Sequence, residues 1–190
     1  VAPGSEVMYY PCQPWDTPLG IATSLLHKIG VGVDDGKHDP YNILEALPLR
    51  PGVEIDIDSY RRRLTAHLLD ESGLDTKKET ELLVVLDDVH NIGPDGNYLF
   101  GALLQVAEIA PLRLILISRN RLSFYDTRDV HTRERVRELH LAGLSIEEVN
   151  TWIASMNLPN ETEVEKIHSI TGGHPLAVEL LELYGKTVHE

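Results

Sequence analysis

The stretch Leu82 to Leu86, LLVVL, is an unbroken apolar run that ends on two carboxylates, Asp87 and Asp88. A half-buried strand alternates apolar and polar residues, so a run without alternation reads as a strand buried on both faces. Strands of that kind belong to parallel sheets, whose crossovers lay helices against the sheet. The rest of the chain supplies the other pieces. Glu6 to Cys12, EVMYYPC, carries Val and two Tyr and is closed by Pro11 and Pro14, which suits a short strand. Leu112 to Ile117, LRLILI, reads as another buried strand, and Arg137 to Leu141 as a weaker one.

Helices fall between them. Thr17 caps the first, Pro18 fits its opening turn, Ile21, Leu25 and Ile29 share a face, and Gly30 ends it. Asp58 caps the next, with Asp56 beside it at the helix start, and Tyr60, Leu64 and Leu68 recur until Gly73. After the turn GPDGN, Leu99, Leu103, Leu104 and Ala107 line one side of a third helix, which Pro111 stops. Gly30 to Pro40 and Asp75 to Glu81 read as loops. From Ser145 only helices are expected. Ser145 with Glu148 and Thr162 with Glu165 form capping boxes, and a last helix starts at Pro175 and carries Leu176, Val178, Leu180 and Leu181. The expected organisation is an α/β core over residues 1–143 and a small helical unit over 144–190.

Composition narrows the class. With 190 residues, 42% of them hydrophobic, the chain can bury one core and a small satellite. A single cysteine, Cys12, rules out an internal disulfide, and its place beside a strand reads as buried rather than nucleophilic. No apolar run is long enough to span a bilayer and no signal peptide opens the chain, so a reducing cytoplasm is expected, with no membrane partner. The net charge of −13 argues against nucleic acid as a partner, and the run Arg61-Arg62-Arg63 reads as the solvated face of a helix. The nine histidines contain no HExxH, which argues against a metalloenzyme. The chain opens on Val1 and its first methionine is Met8, so it reads as a piece of a longer polypeptide.

Three stretches carry chemistry. In open parallel sheets ligands sit beyond the carboxyl ends of the strands, where Asp87 and Asp88 fall. One carboxylate there can hold Mg²⁺ directly or through its waters while its neighbour polarises a water; the same pair would also serve to cap a turn. The next strand ends on Ser118 and Arg119, whose guanidinium would sense a terminal phosphate; the alternative is a structural ion pair with Asp87 or Asp88. In TGGHPLAVELL, Gly172 and Gly173 end one helix and Pro175 starts another, leaving free amides at a compact turn that is also an ordinary helical corner.

In this order the three stretches resemble the signal-transduction ATPases with numerous domains, a branch of the AAA+-related P-loop NTPases. The resemblance runs from about Glu6 to Leu183, and EVMYYPCQPWDTPLG is similar to the second strand and following helix of the archaeal and transcription-regulator members. It implies that Leu83 to Asp88 is the Walker B element, with Asp87 on the metal and Asp88 catalytic. Ile115 to Arg119 would carry the first sensor, with Ser118 near the nucleotide and Arg119 acting on the terminal phosphate. Gly173, His174 and Pro175 would touch the nucleotide base from a helical lid. ATP and Mg²⁺ are the implied cofactors, and effector domains or other regulatory proteins the implied partners.

The same resemblance requires a first strand and a loop G-x-x-x-x-G-K-[ST] ahead of Glu6, and only five residues precede it. Gly36-Lys37 does not replace that loop: Val31 stands where the first glycine should be, His38 follows the lysine, and Pro40 interrupts the required helix. The loop supplies most of the grip on a triphosphate. Without it Asp87, Asp88 and Arg119 make half a site, and this chain alone is expected to bind Mg·ATP weakly or not at all. In the family the missing strand lies between the strands matching Leu112 to Ile117 and Arg137 to Leu141. A catalytically inert interaction module with the same fold is the alternative. DNA binding through the helical end is opposed by Glu147, Glu148, Glu161, Glu163, Glu165, Glu179 and Glu182.

Overall fold

The computed structural model describes residues 6–31, 43–47, 54–73, 81–155 and 161–180, and the chain divides into two units, Val1–Arg137 and Glu138–Glu190. In the first unit β1 (Glu6–Pro11), β2 (Leu82–Asp87) and β3 (Leu112–Leu116) pair in parallel, with β2 in the middle. Met8, Val84 and Leu114 fall in one row of the register, and Tyr9, Val85 and Ile115 in the next. Alternate residues point to opposite faces, so these rows belong to the two sides of the sheet.

Helices cover one of those sides. In α1 (Pro18–Lys28) the Thr17 hydroxyl accepts the Gly20 N–H at 3.2 Å and Pro18 opens the first turn, as its sequence implies. Gly30, at φ +75°, then reverses the chain. For α2 (Ile57–Gly73) the capping carboxylate is Asp56, which accepts the Ser59 N–H at 3.0 Å. Asp58, expected in that role, lies inside the first turn, 3.6 Å from Arg61. In α3 (Gly96–Ala107) the buried stripe is Leu99, Phe100, Leu103 and Val106, while Leu104 and Ala107 sit half-buried at its margin. Ile21, Leu25, Leu26, Tyr60, Leu64 and Leu68 join this stripe on Met8, Leu82, Val84, Leu86 and Leu112. Each fully buried large apolar side chain there contributes about 1.5–3 kcal/mol.

The other side of the sheet differs from expectation. Val7, Tyr9, Ile115 and Ile117 are exposed and Leu83 and Val85 only half-buried, so LLVVL is apolar on both faces but covered on one. The outer edge of β3 pairs with no strand among the described residues. Arg137 to Leu141 is not a strand: the segment makes no ladder, and Leu139 and Leu141 are 73% and 86% exposed. An apolar alternation becomes a strand only where a neighbour completes its hydrogen bonds. Of the run expected to be a solvated helix face, Arg62 is exposed, while Arg61 and Arg63 are half-buried, Arg61 lying 3.6 Å from Asp58 and Arg63 bonded to Glu45 at 3.0 Å. The short α4 (Thr127–His131) follows β3.

In the second unit α5 (Ile146–Ser155) starts with the expected capping box: the Glu148 carboxylate accepts the Ser145 N–H at 2.8 Å and Ser145 Oγ accepts the Glu148 N–H at 3.2 Å. α6 (Glu161–Thr171) begins one residue before Thr162, which therefore lies within its first turn. Residues 175–180 are helical, and Val149, Ile153, Val164 and Val178 form a small core. Gly36-Lys37, residues 74–80 and Leu181 lie outside the described residues. Among those described, no helix is long and apolar enough to cross a membrane.

Candidate functional site at the carboxyl end of the sheet

β2 ends in a turn that is anchored on both sides. The Cys12 N–H donates to the Asp87 carbonyl at 2.9 Å, continuing the β1 ladder, and Asn91 Nδ2 donates to the Cys12 carbonyl at 2.9 Å. On the other flank Ile117 N–H reaches the Leu86 carbonyl at 2.9 Å and Val89 N–H reaches the Ile117 carbonyl at 3.1 Å. Held between these anchors, Asp88 takes the left-handed conformation, φ 52° and ψ 37°. That region costs an ordinary residue about 1 kcal/mol and is tolerated best by Gly, Asn and Asp.

The two carboxylates play different parts. Asp87 Oδ1 accepts the Asp88 N–H at 2.8 Å, and Oδ2 accepts the Tyr9 hydroxyl at 2.7 Å. The Asp88 side chain makes no capping bond to the turn that follows, and is half exposed. Its Oδ1 lies 3.8 Å from Nδ1 of His90, a buried nitrogen with no hydrogen-bond partner. The Tyr9 hydroxyl is pushed above its ordinary pKa first by its bond to Asp87, then by burial and the charges of Asp87 and Asp88, so it stays a neutral donor at neutral pH. Beside them Cys12 is 1% exposed, and burial pushes its thiol up to about 11, which makes it a packing residue.

Ser118 and Arg119 follow β3 after Ile117, whose carbonyl accepts the Val89 N–H. Ser118 Oγ accepts the Asn120 N–H at 3.2 Å. Arg119 is exposed, and among the described residues no ion pair joins it to Asp87 or Asp88. The fold thus brings Asp87, Asp88, Ser118 and Arg119 to one edge of the sheet. Two carboxylates, one already accepting on both oxygens, offer a partial shell, which suits an ion that keeps most of its waters, as Mg²⁺ does. Among the described residues no three His, Cys, Asp or Glu side chains gather as a fuller metal site.

Gly173, His174 and Pro175 belong to the second unit. Gly172 and Gly173 have φ of +60° and +70°, and the Gly173 N–H reaches Thr171 Oγ1 at 3.2 Å. His168 donates through Nε2 to the Leu144 carbonyl at 2.9 Å, beside the same turn. His174 and Pro175 are exposed, and the Val178 N–H returns to the His174 carbonyl at 3.1 Å as the next helix begins.

Tyr9 and His90 are the residues that sequence reasoning passed over. The only sequence signal for Tyr9 was its place near the end of a short strand, and His90 had only its position two residues past Asp88. A further anchor was also missed. Asp129, 6% exposed, accepts from Arg133 and Arg135 at 3.1 Å, and Arg135 also pairs with Glu108 at the end of α3. No family model matches the chain, and no curated protein or solved structure is significantly similar to it, so the residues and their geometry carry the functional reading.

Proposed function

We propose that the chain is the nucleotide-sensing part of a regulatory ATPase with a P-loop NTPase sheet. In this reading Asp87 holds hydrated Mg²⁺ and Asp88 polarises the attacking water. Ser118 and Arg119 read the terminal phosphate, and Gly173, His174 and Pro175 meet the base from a helical lid. One observation carries it: the Asp87-Asp88 turn closes the middle strand of a parallel sheet and Ser118-Arg119 closes the strand beside it, at the edge where such sheets hold ligands. Bound Mg²⁺ would supply charge neutralisation between phosphate oxygens.

The phosphate loop is taken to come from a further strand, loop and helix. Support comes from the edge of β3, which no strand pairs among the described residues, and from the apolar side formed by Val7, Val85, Ile115 and Ile117, where such a strand and helix would pair and pack. A signal arises if nucleotide binds the two lid positions with different affinity, since only differential affinity shifts a population.

The test is ATP binding and turnover by the complete gene product, with Asp88→Asn and Arg119→Ala. Asp88→Asn should retain ATP binding and lose turnover about a hundredfold or more. Equal turnover would remove the role given to Asp88. The exposed apolar side equally favours a second reading, an inert interaction module; a complete protein whose partner binding ignores ATP would establish that reading instead.

A further inference from the structure

Tyr9 stands two residues before Pro11, the register partner of Asp87, and on the same uncovered side of the sheet. Diagonal neighbours on adjacent strands are within reach of a long aromatic side chain, and here the phenol donates to Asp87 Oδ2 at 2.7 Å. That is a well-formed O–H···O hydrogen bond. The Asp88 N–H holds the other oxygen at 2.8 Å. Two donors, one on β1 and one in the turn after β2, therefore set the plane of one carboxylate. The ring is 59% exposed, so the bond adds little to folding. What it does is orient.

We propose that Tyr9 is a positioning residue for Asp87, its hydroxyl fixing the carboxylate so that the lone pairs left free face a hydrated divalent cation. The proposal rests on the reading of Asp87 as the metal-holding carboxylate. A carboxylate already held in one orientation loses less freedom when the ion arrives than one that still turns.

Mn²⁺ serves as the probe, titrated into the full 190-residue chain while paramagnetic broadening of the amide signals is followed. The wild type should broaden first at Asp87 and Asp88. Tyr9→Phe, which removes only the hydroxyl, should need about threefold more Mn²⁺ for half-broadening there. Tyr9→Leu should match Tyr9→Phe, since the hydroxyl and not the ring is at issue, and amides elsewhere should keep their positions in both. Equal or tighter binding by Tyr9→Phe overturns the positioning role and leaves the reading of Asp87 intact. A wild type with no broadening at Asp87 and Asp88 overturns that reading, and the positioning role with it.

Discussion

Gly173 accepts the Leu144 N–H at 2.8 Å, and a Cβ at position 173 would stand 2.1 Å from the Leu144 carbonyl oxygen. Both facts follow from a backbone pressed against a backbone, with φ at +70°. Only glycine fits. The Gly173→Ala substitution should destabilise the helical unit by more than about 1 kcal/mol, from the left-handed conformation and the clash together. Thermal melting followed by helical circular dichroism checks it; an unchanged melting curve would contradict the close approach.

Asp88 tests backbone and chemistry separately. At φ 52° alanine is strained and glycine is not, so Asp88→Ala should be about 1 kcal/mol less stable than Asp88→Gly despite the better intrinsic propensities of alanine. Urea unfolding of the two variants measures the difference. Asp88→Asn, which tolerates the same conformation, is the variant to use for activity.

The two sides of the sheet predict opposite sensitivities. Leu86→Ala, at a fully buried position, should cost about 2–5 kcal/mol. Ile115→Lys, at a position 47% exposed, should stay within about 0.5 kcal/mol of wild type in this chain. Denaturant midpoints compare them directly. In a complete protein that covers this face, the same Ile115→Lys should become strongly destabilising.

Asp129 makes stability depend on acid. The Asp126 N–H first, then Arg135 and Arg133, hold its carboxyl down to about 2. The unfolded chain restores about 3.9. A folded pKa below the unfolded one gives stability that is complete above about pH 4 and is lost as the pH falls through about 2. Asp129→Asn should therefore be less stable at neutral pH and fall less steeply between about pH 4 and 2. Parallel acid limbs in the two unfolding series would contradict this.

Much of this arrangement is local and so was legible in the sequence. Thr17 with Pro18, and Ser145 with Glu148, act within one helical turn, and the structure keeps both starts. The aspartate pair at a strand end needed only the apolar run before it. What depends on neighbours was not legible. Arg137 to Leu141 has strand-like residues but no partner strand among the described residues, and LLVVL carries apolar residues on a side that none of those residues covers. Tyr9 and Asp87 are 78 positions apart, and their bond exists only once β1 and β2 are known to be adjacent and in register. Asp129 and Arg135 likewise required the fold to bring Glu108 beside them.

The small core of the second unit sets an order of opening. Val149, Ile153, Val164 and Val178 hold together helices of ten and eleven residues, lengths that do not persist alone in water. The unit therefore stays folded or comes apart as a whole, with little free energy in reserve. Its amides should exchange with deuterium well before those of β2, where Leu82, Val84 and Leu86 are locked under three helices. Of the two cores described, the smaller one in the helical unit is the one expected to open first.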